Sequence, residues 1–198
     1  MVEGNPKELF QSVMQLAAND KIREPLSAAK CLAAAAQIRS EGDRISTAAR
    51  ALAGGEKKID SVVPALPGFK GMFGQMEGDF RTISGMLEGL ANKELAAVFS
   101  LTIPPERAYA DAHFLRSRVL ADVLAASSYY KVSAELISLA MKTLDKCSPS
   151  MKAGETALLL DHAAALLGDA AKFMATAGVE LGDSDVRWKS LTDAVERL

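Results

Sequence analysis

Residues 119–144 read VLADVLAASSYYKVSAELISLAMKTL. Within them Val119, Val123, Ala126, Tyr130, Ser133, Ile137, Ala140 and Leu144 alternate steps of four and three. That spacing is the a/d seam of a helix packed along its whole length. Every second knob is small, so two backbones can approach closely. The same design recurs upstream in Ala28, Cys31, Ala35, Ile38, Gly42, Ile45, Ala49 and Leu52. It recurs downstream in Thr156, Leu159, Ala163, Leu166, Ala170, Phe173 and Ala177. No run of alternating β-branched residues and no hairpin dipeptide competes with it. The chain therefore reads as all-α: an elongated, mostly antiparallel bundle of five or six helices with Ala/Gly-rich, close-packed seams.

Breakers divide the chain between the seams. Asn5-Pro6 caps a first helix striped by Leu9, Val13 and Leu16, which ends near Asn19-Asp20. Pro25 opens a second helix that Gly54-Gly55 stops after Leu52. A short turn over 57–63 leads into Pro64-Ala-Leu-Pro67-Gly68, a hard break and the candidate hinge at 64–68. The third helix is expected from about Gly68 to Asn92, with a continuation over Glu94–Leu101. Pro104-Pro105 opens a fourth over Glu106–Lys146. Lys152–Ala177 is the fifth, with Gly178 as its C-cap. Asp183 or Ser184 caps a last helix striped by Trp188, Leu191, Val195 and Leu198. All of 1–198 reads as one helical domain. The shared seams reflect similar packing rather than a repeated sequence.

With 198 residues, 49% hydrophobic and 24% charged, the chain has the make-up of an ordinary globular protein. Its formal net charge of -2, with Lys and Arg interleaved among acids, speaks against nucleic acid as a partner. No apolar run reaches the roughly 20 residues that span a bilayer. The opening Met-Val-Glu-Gly-Asn-Pro lacks the basic and apolar regions of a secretory signal. A cytoplasmic protein, or one secreted by a leaderless route, is expected. Cys31 falls in the first seam and Cys147 just after the fourth helix. Reduced thiols are the expectation, and a Cys31–Cys147 disulfide the alternative.

The third helix is unusual. Phe69, Met72, Phe73, Met76, Phe80, Ile83, Leu87 and Leu90 form its apolar stripe, while Gly71, Gly74, Gly78, Gly85 and Gly89 recur on the opposite face. Glycine is the poorest helix former after proline, so five of them need a reason. Close packing of a neighbouring backbone is the first reason. The second is membrane insertion: a glycine ridge opposite an aromatic ridge resembles the texture of viral fusion peptides, which implies a membrane-active face at Phe69, Met72, Phe73, Met76 and Phe80. Asp79, Arg81 and Glu88 oppose deep insertion, and packing is ranked first.

Chemistry is thinly represented. Arg107 precedes His113 by six positions, and this resembles the Arg-x(4–6)-His element of the all-helical HEPN ribonucleases. The resemblance implies a nuclease with Arg107 and His113 as catalytic residues. Against it, six positions place the two side chains about 120° apart on one helix, and Ala108 stands where that family has a polar residue. A histidine at the boundary of an amphipathic helix is the simpler reading. His162 has no His or Cys three or four residues away, so no zinc pair arises, and no Glu-x-x-His marks a di-iron bundle. No metal and no cofactor is expected. On the fourth helix Tyr130 falls in the seam with Tyr129 at its flank, and Arg118, Asp122, Lys131, Glu135, Ser138, Lys142 and Asp145 trace a solvent stripe.

Polar side chains thus line solvent faces rather than converge. The Ala-rich helices broadly resemble the rod bundles of cytoskeletal adaptors, with no shared motif. The expectation is a non-enzymatic interaction protein — adaptor, scaffold, chaperone or effector — that binds another protein or itself through a helical face. A membrane-active protein using the 68–91 helix and a HEPN-like ribonuclease are the alternatives.

Overall fold

The computed structural model describes residues 42–89, 91–92 and 110–196, apart from a few side chains beyond residue 184. Of these, 92% are helical, in four helices packed against one another, with no strand. We number them α1 (residues 42–52), α2 (Leu66–Gly89), α3 (Ala110–Leu144) and α4 (Ala153–Glu196). The helix expected over 6–19, the first half of the first seam with Cys31 and Ala35, and the continuation over 94–101 lie outside the described residues.

Glycine ends α1 as its position foretells. Gly54 and Gly55 have φ of 141° and 63°, the left-handed region that side chains resist. A Cβ on Gly54 would meet Lys58 Cδ at 2.7 Å. The Lys58 ammonium donates to the Ala53 and Arg50 carbonyls at 3.0 and 3.4 Å, neutralising the helix end. The chain then steps through short turns, Glu56–Lys58, Ile59–Val62 and Val63–Ala65, straight into α2. The expected hard break at 64–68 is therefore softer than two prolines suggest. Pro64 and Pro67 both sit in first turns, where a missing N–H leaves no hydrogen bond unmade.

The second seam is buried throughout. Val119, Val123, Ala126, Tyr130, Ser133, Ile137, Ala140 and Leu144 are all at most 4% exposed. Tyr130 meets Phe80 of α2 edge-on, ring centroids 5.9 Å apart, an arrangement worth about 0.5–1.5 kcal/mol beyond burial. Tyr129 flanks the seam, half-buried, and stacks on Phe173 of α4 at 6.0 Å. Three serines set close approaches. Ser133 Oγ donates to the Ala170 carbonyl of α4 at 3.1 Å, and Ser84 and Ser127 bond across α2 and α3. The pairings Lys70–Asp145 and Ser84–Ser127 run in opposite senses, so α2 and α3 are antiparallel. Phe173–Tyr129 and Arg187–Asp122 make α3 and α4 antiparallel as well.

Three expectations are corrected here. First, α4 is one helix of 44 residues. Gly178 does not cap it, since neither Gly178 nor Gly182 has a positive φ. The buried row Met174, Ala177, Leu181, Ser184, Leu191 simply runs on, and tertiary burial outweighs glycine's low propensity. The side chains of Trp188 and Val195 lie outside the described residues. Second, the large register of the third seam is off by one. Leu160, Leu167, Met174 and Leu181 are buried at 2% or less, whereas Leu159, Leu166 and Phe173 are half-buried. The small register, Thr156, Ala163, Ala170 and Ala177, is buried as read. The shift arises because α4 serves two neighbours. Phe173 reaches Tyr129 of α3, while Met174 meets α1 at Gly42, where an added Cβ would lie 3.7 Å from Met174 Cβ. Third, Asp122 is not on a solvent stripe but 3% exposed in the bundle.

Candidate functional site

The apolar stripe of α2 faces inward. Phe73, Met76, Phe80, Ser84 and Leu87 are buried, and Phe69, Met72 and Ile83 are half-buried. The hydrophobic effect accounts for this face, at about 1.5–3 kcal/mol for each fully buried large side chain. Phe69 stacks on Phe73 at 6.1 Å and, with Met72, floors an open groove of about 400 Å³ against α1. Asp43, Arg44, Thr47, Ala48 and Ala51 line its other side.

The opposite face of α2 carries the surprise. Gly71, Gly74, Gly78, Thr82, Gly85 and Gly89 step by three and four, the spacing of the buried seams. Yet Gly71, Gly74, Gly78, Thr82 and Gly85 are exposed. Among the described residues, a Cβ at Gly71, Gly78, Gly85 or Gly89 would meet no atom within 4 Å, and at Gly74 only the Met141 sulfur, at 4.0 Å. The expected packing of a neighbouring backbone on this ridge is therefore overturned among the described residues. Since α3 takes up the aromatic side of α2, its glycine side is left outward. Thr82 tempers it by returning its hydroxyl to the Gly78 carbonyl at 2.9 Å. An Arg81–Glu77 ion pair at 3.0 Å and an exposed Met86 flank it.

The remaining candidates do not converge. Arg107 lies outside the described residues. His113 is half-buried on α3, and its carbonyl accepts the Ser117 hydroxyl at 2.9 Å. His162 is exposed on α4, beside Asp161, whose carboxylate accepts the Gly54 N–H at 3.4 Å. Among the described residues no group of three or more His, Cys, Asp or Glu is placed to hold a metal ion. No helix among them is long and apolar enough to cross a membrane. Cys147 is a free thiol, and burial pushes its pKa up against the opposing pull of Lys70.

One polar cluster escaped the sequence reading. Asp122 is buried on α3 and accepts a hydrogen bond from Nη1 of Arg187 on α4. Nη2 of Arg187 donates to Asp183, one turn back, at 3.3 Å. The bond to Asp122 is the main cause that raises the Arg187 pKa above its ordinary value, so the guanidinium is locked in its charged form. A signal for it existed. Asp122 lies three residues after Val119 and four before Ala126, a second allowed a/d path through the same helix. Compared with protein-family models, with curated proteins and with solved structures, the chain matches none.

Proposed function

We propose that this is a non-enzymatic helical interaction protein, an adaptor or scaffold in kind, that binds another protein through the outward face of α2. The observation that supports it is the ridge of exposed Gly71, Gly74, Gly78, Thr82 and Gly85, continued by half-buried Gly89. It repeats the small-residue spacing by which this chain packs its own helices, and a Cβ added to its glycines would meet almost nothing among the described residues. In an exposed helix each glycine costs about 0.5–1 kcal/mol relative to alanine. A partner helix laid against the ridge could approach the α2 backbone as closely as α2 approaches α3 at Ser84–Ser127.

The test is a comparison of wild type with Gly78→Leu/Gly85→Leu in a pull-down from the native host and in sedimentation. Open space at both positions means the variant folds and melts no lower than wild type, while the partner, or the self-association, is lost. A variant that folds and keeps every partner removes the support for this surface. Vesicle leakage by the wild-type protein that needs the ridge, or RNA cleavage lost in His113→Ala, would replace the reading with a membrane-active or a nuclease one.

A further inference from the structure

The seam between α3 and α4 repeats every seven residues on both sides. In α3, large Tyr130, Ile137 and Leu144 alternate with small Ala126, Ser133 and Ala140, all fully buried. In α4, large Leu160, Leu167 and Met174 alternate with small Ala163, Ala170 and Ala177, none more than 1% exposed. Such a seam does not define its own register. Sliding α4 along α3 by one heptad, about 10 Å, puts a residue of like size at every level. Length permits the slide: α4 has 44 residues and α3 has 35, so α4 spans α3 in both positions. When each level receives the α4 residue seven lower, the Ala163 carbonyl replaces that of Ala170 before the Ser133 hydroxyl. Gly42 of α1 meets Ala164 and Leu167 in place of Ala171 and Met174. The slide gives up the 3.4 Å bond from Gly54 to Asp161 and draws the first turns of α4 away from Glu56–Val62. One position changes in kind. Asp122, 3% exposed, accepts a hydrogen bond from Arg187, and seven residues before Arg187 stands half-buried Glu180. The slide brings Glu180 to Asp122, acid against acid.

We propose that the Asp122–Arg187 pair fixes the register of α4 on α3: the apolar seam accepts two positions one heptad apart, and the buried carboxylate rejects the one that places Glu180 before it. A buried carboxylate is tolerated only beside its cation, and a second carboxylate in the cation's place compounds the cost of desolvation. Apolar side chains at 122 and 187 have no such preference. The pair therefore contributes a unique arrangement of the two helices rather than net stability.

Spin-label distances in the full chain test this. Labels are placed on Ser128→Cys of α3 and Glu155→Cys of α4, both exposed positions, with Cys31 and Cys147 replaced by serine. The Ser133–Ala170 register sets the labels about 30 Å apart along the bundle, and the slide shortens this to about 20 Å. With Asp122 and Arg187 in place, one distance, the longer, is expected. Asp122→Leu/Arg187→Met keeps its helix content and shows both distances. Asp122→Arg, which sets two guanidinium groups together in the native register but pairs with Glu180 in the other, shows mainly the shorter one. The longer distance alone in Asp122→Leu/Arg187→Met overturns the proposal, even if Asp122→Arg fails to fold. So does the longer distance alone in a folded Asp122→Arg. Two distances with the ion pair intact overturn it as well. A broad, featureless distribution in Asp122→Leu/Arg187→Met would be a loosened bundle rather than a second register, and also overturns it.

Discussion

Ser84 of α2 and Ser127 of α3 each donate a hydroxyl hydrogen bond to the other's backbone carbonyl, both at 2.9 Å. Their hydroxyl oxygens lie 3.1 Å apart, and both residues are 5% exposed. Only a very close approach of two helices allows this exchange. Ser84→Ala or Ser127→Ala should each cost about 1 kcal/mol, the net worth of one buried hydrogen bond. Ser127→Leu should cost about 1–3 kcal/mol, because a large side chain must force the helices apart. Urea denaturation measures both. Full stability in Ser127→Leu would mean that the two helices are not held this close.

Ala170 provides the same test between α3 and α4. It is fully buried, and its carbonyl accepts the Ser133 hydroxyl at 3.1 Å. Ala170→Leu should destabilise by about 1–3 kcal/mol through overpacking. A variant that melts with the wild type would place Ala170 on the surface.

The glycine ridge now predicts the opposite sign. With nothing among the described residues within 4 Å of an added Cβ at Gly78, Gly78→Ala should raise stability by about 0.5–1 kcal/mol through helix propensity and a less flexible unfolded chain. Thermal melts decide it, and a marked loss would reveal a neighbour on that face.

Arg187 and Asp122 should be strongly coupled. Arg187→Met leaves a buried carboxylate alone and should cost about 3 kcal/mol or more. Adding Asp122→Leu should recover much of that loss, since an apolar pair has no charge to compensate. A double-mutant cycle in which the two losses simply add would show that the residues do not interact.

Cys147 sets an alkaline dependence. Burial raises its pKa in the folded state, so the folded protein holds this proton more tightly than the unfolded chain. That contribution is complete below the unfolded thiol's pKa, about 8.5, and is lost as pH rises through the higher folded value. Stability should therefore fall with alkalinity above about pH 8.5, and Cys147→Ser should remove that part of the fall. Identical pH profiles for the two proteins would contradict it.

Much of this architecture is legible in residue order alone. Helix type, the stop at Gly54-Gly55, the full burial of the seam from Val119 to Leu144, and the split of Tyr129 from Tyr130 follow from periodicity and backbone chemistry. These depend on contacts a few residues apart, or on a face that only one helical period can produce. Asp122 was misplaced for a related reason. A residue between two a/d paths is assigned by its polarity unless its partner is known, and Arg187 lies 65 positions away.

Residue order alone establishes that the helices are long, and that small residues recur where backbones can meet. Which of those small-residue rows are used is set by the packing of the whole bundle. The rows through Ser133 and Ala170 and through Ser84 and Ser127 found each other, whereas the glycines of α2 face outward. Likewise Leu160 and Met174 took the core in place of Leu159 and Phe173. A helix has one period but several faces, and its free energy of burial depends on how many neighbours surround it. That number belongs to the bundle, not to any one helix.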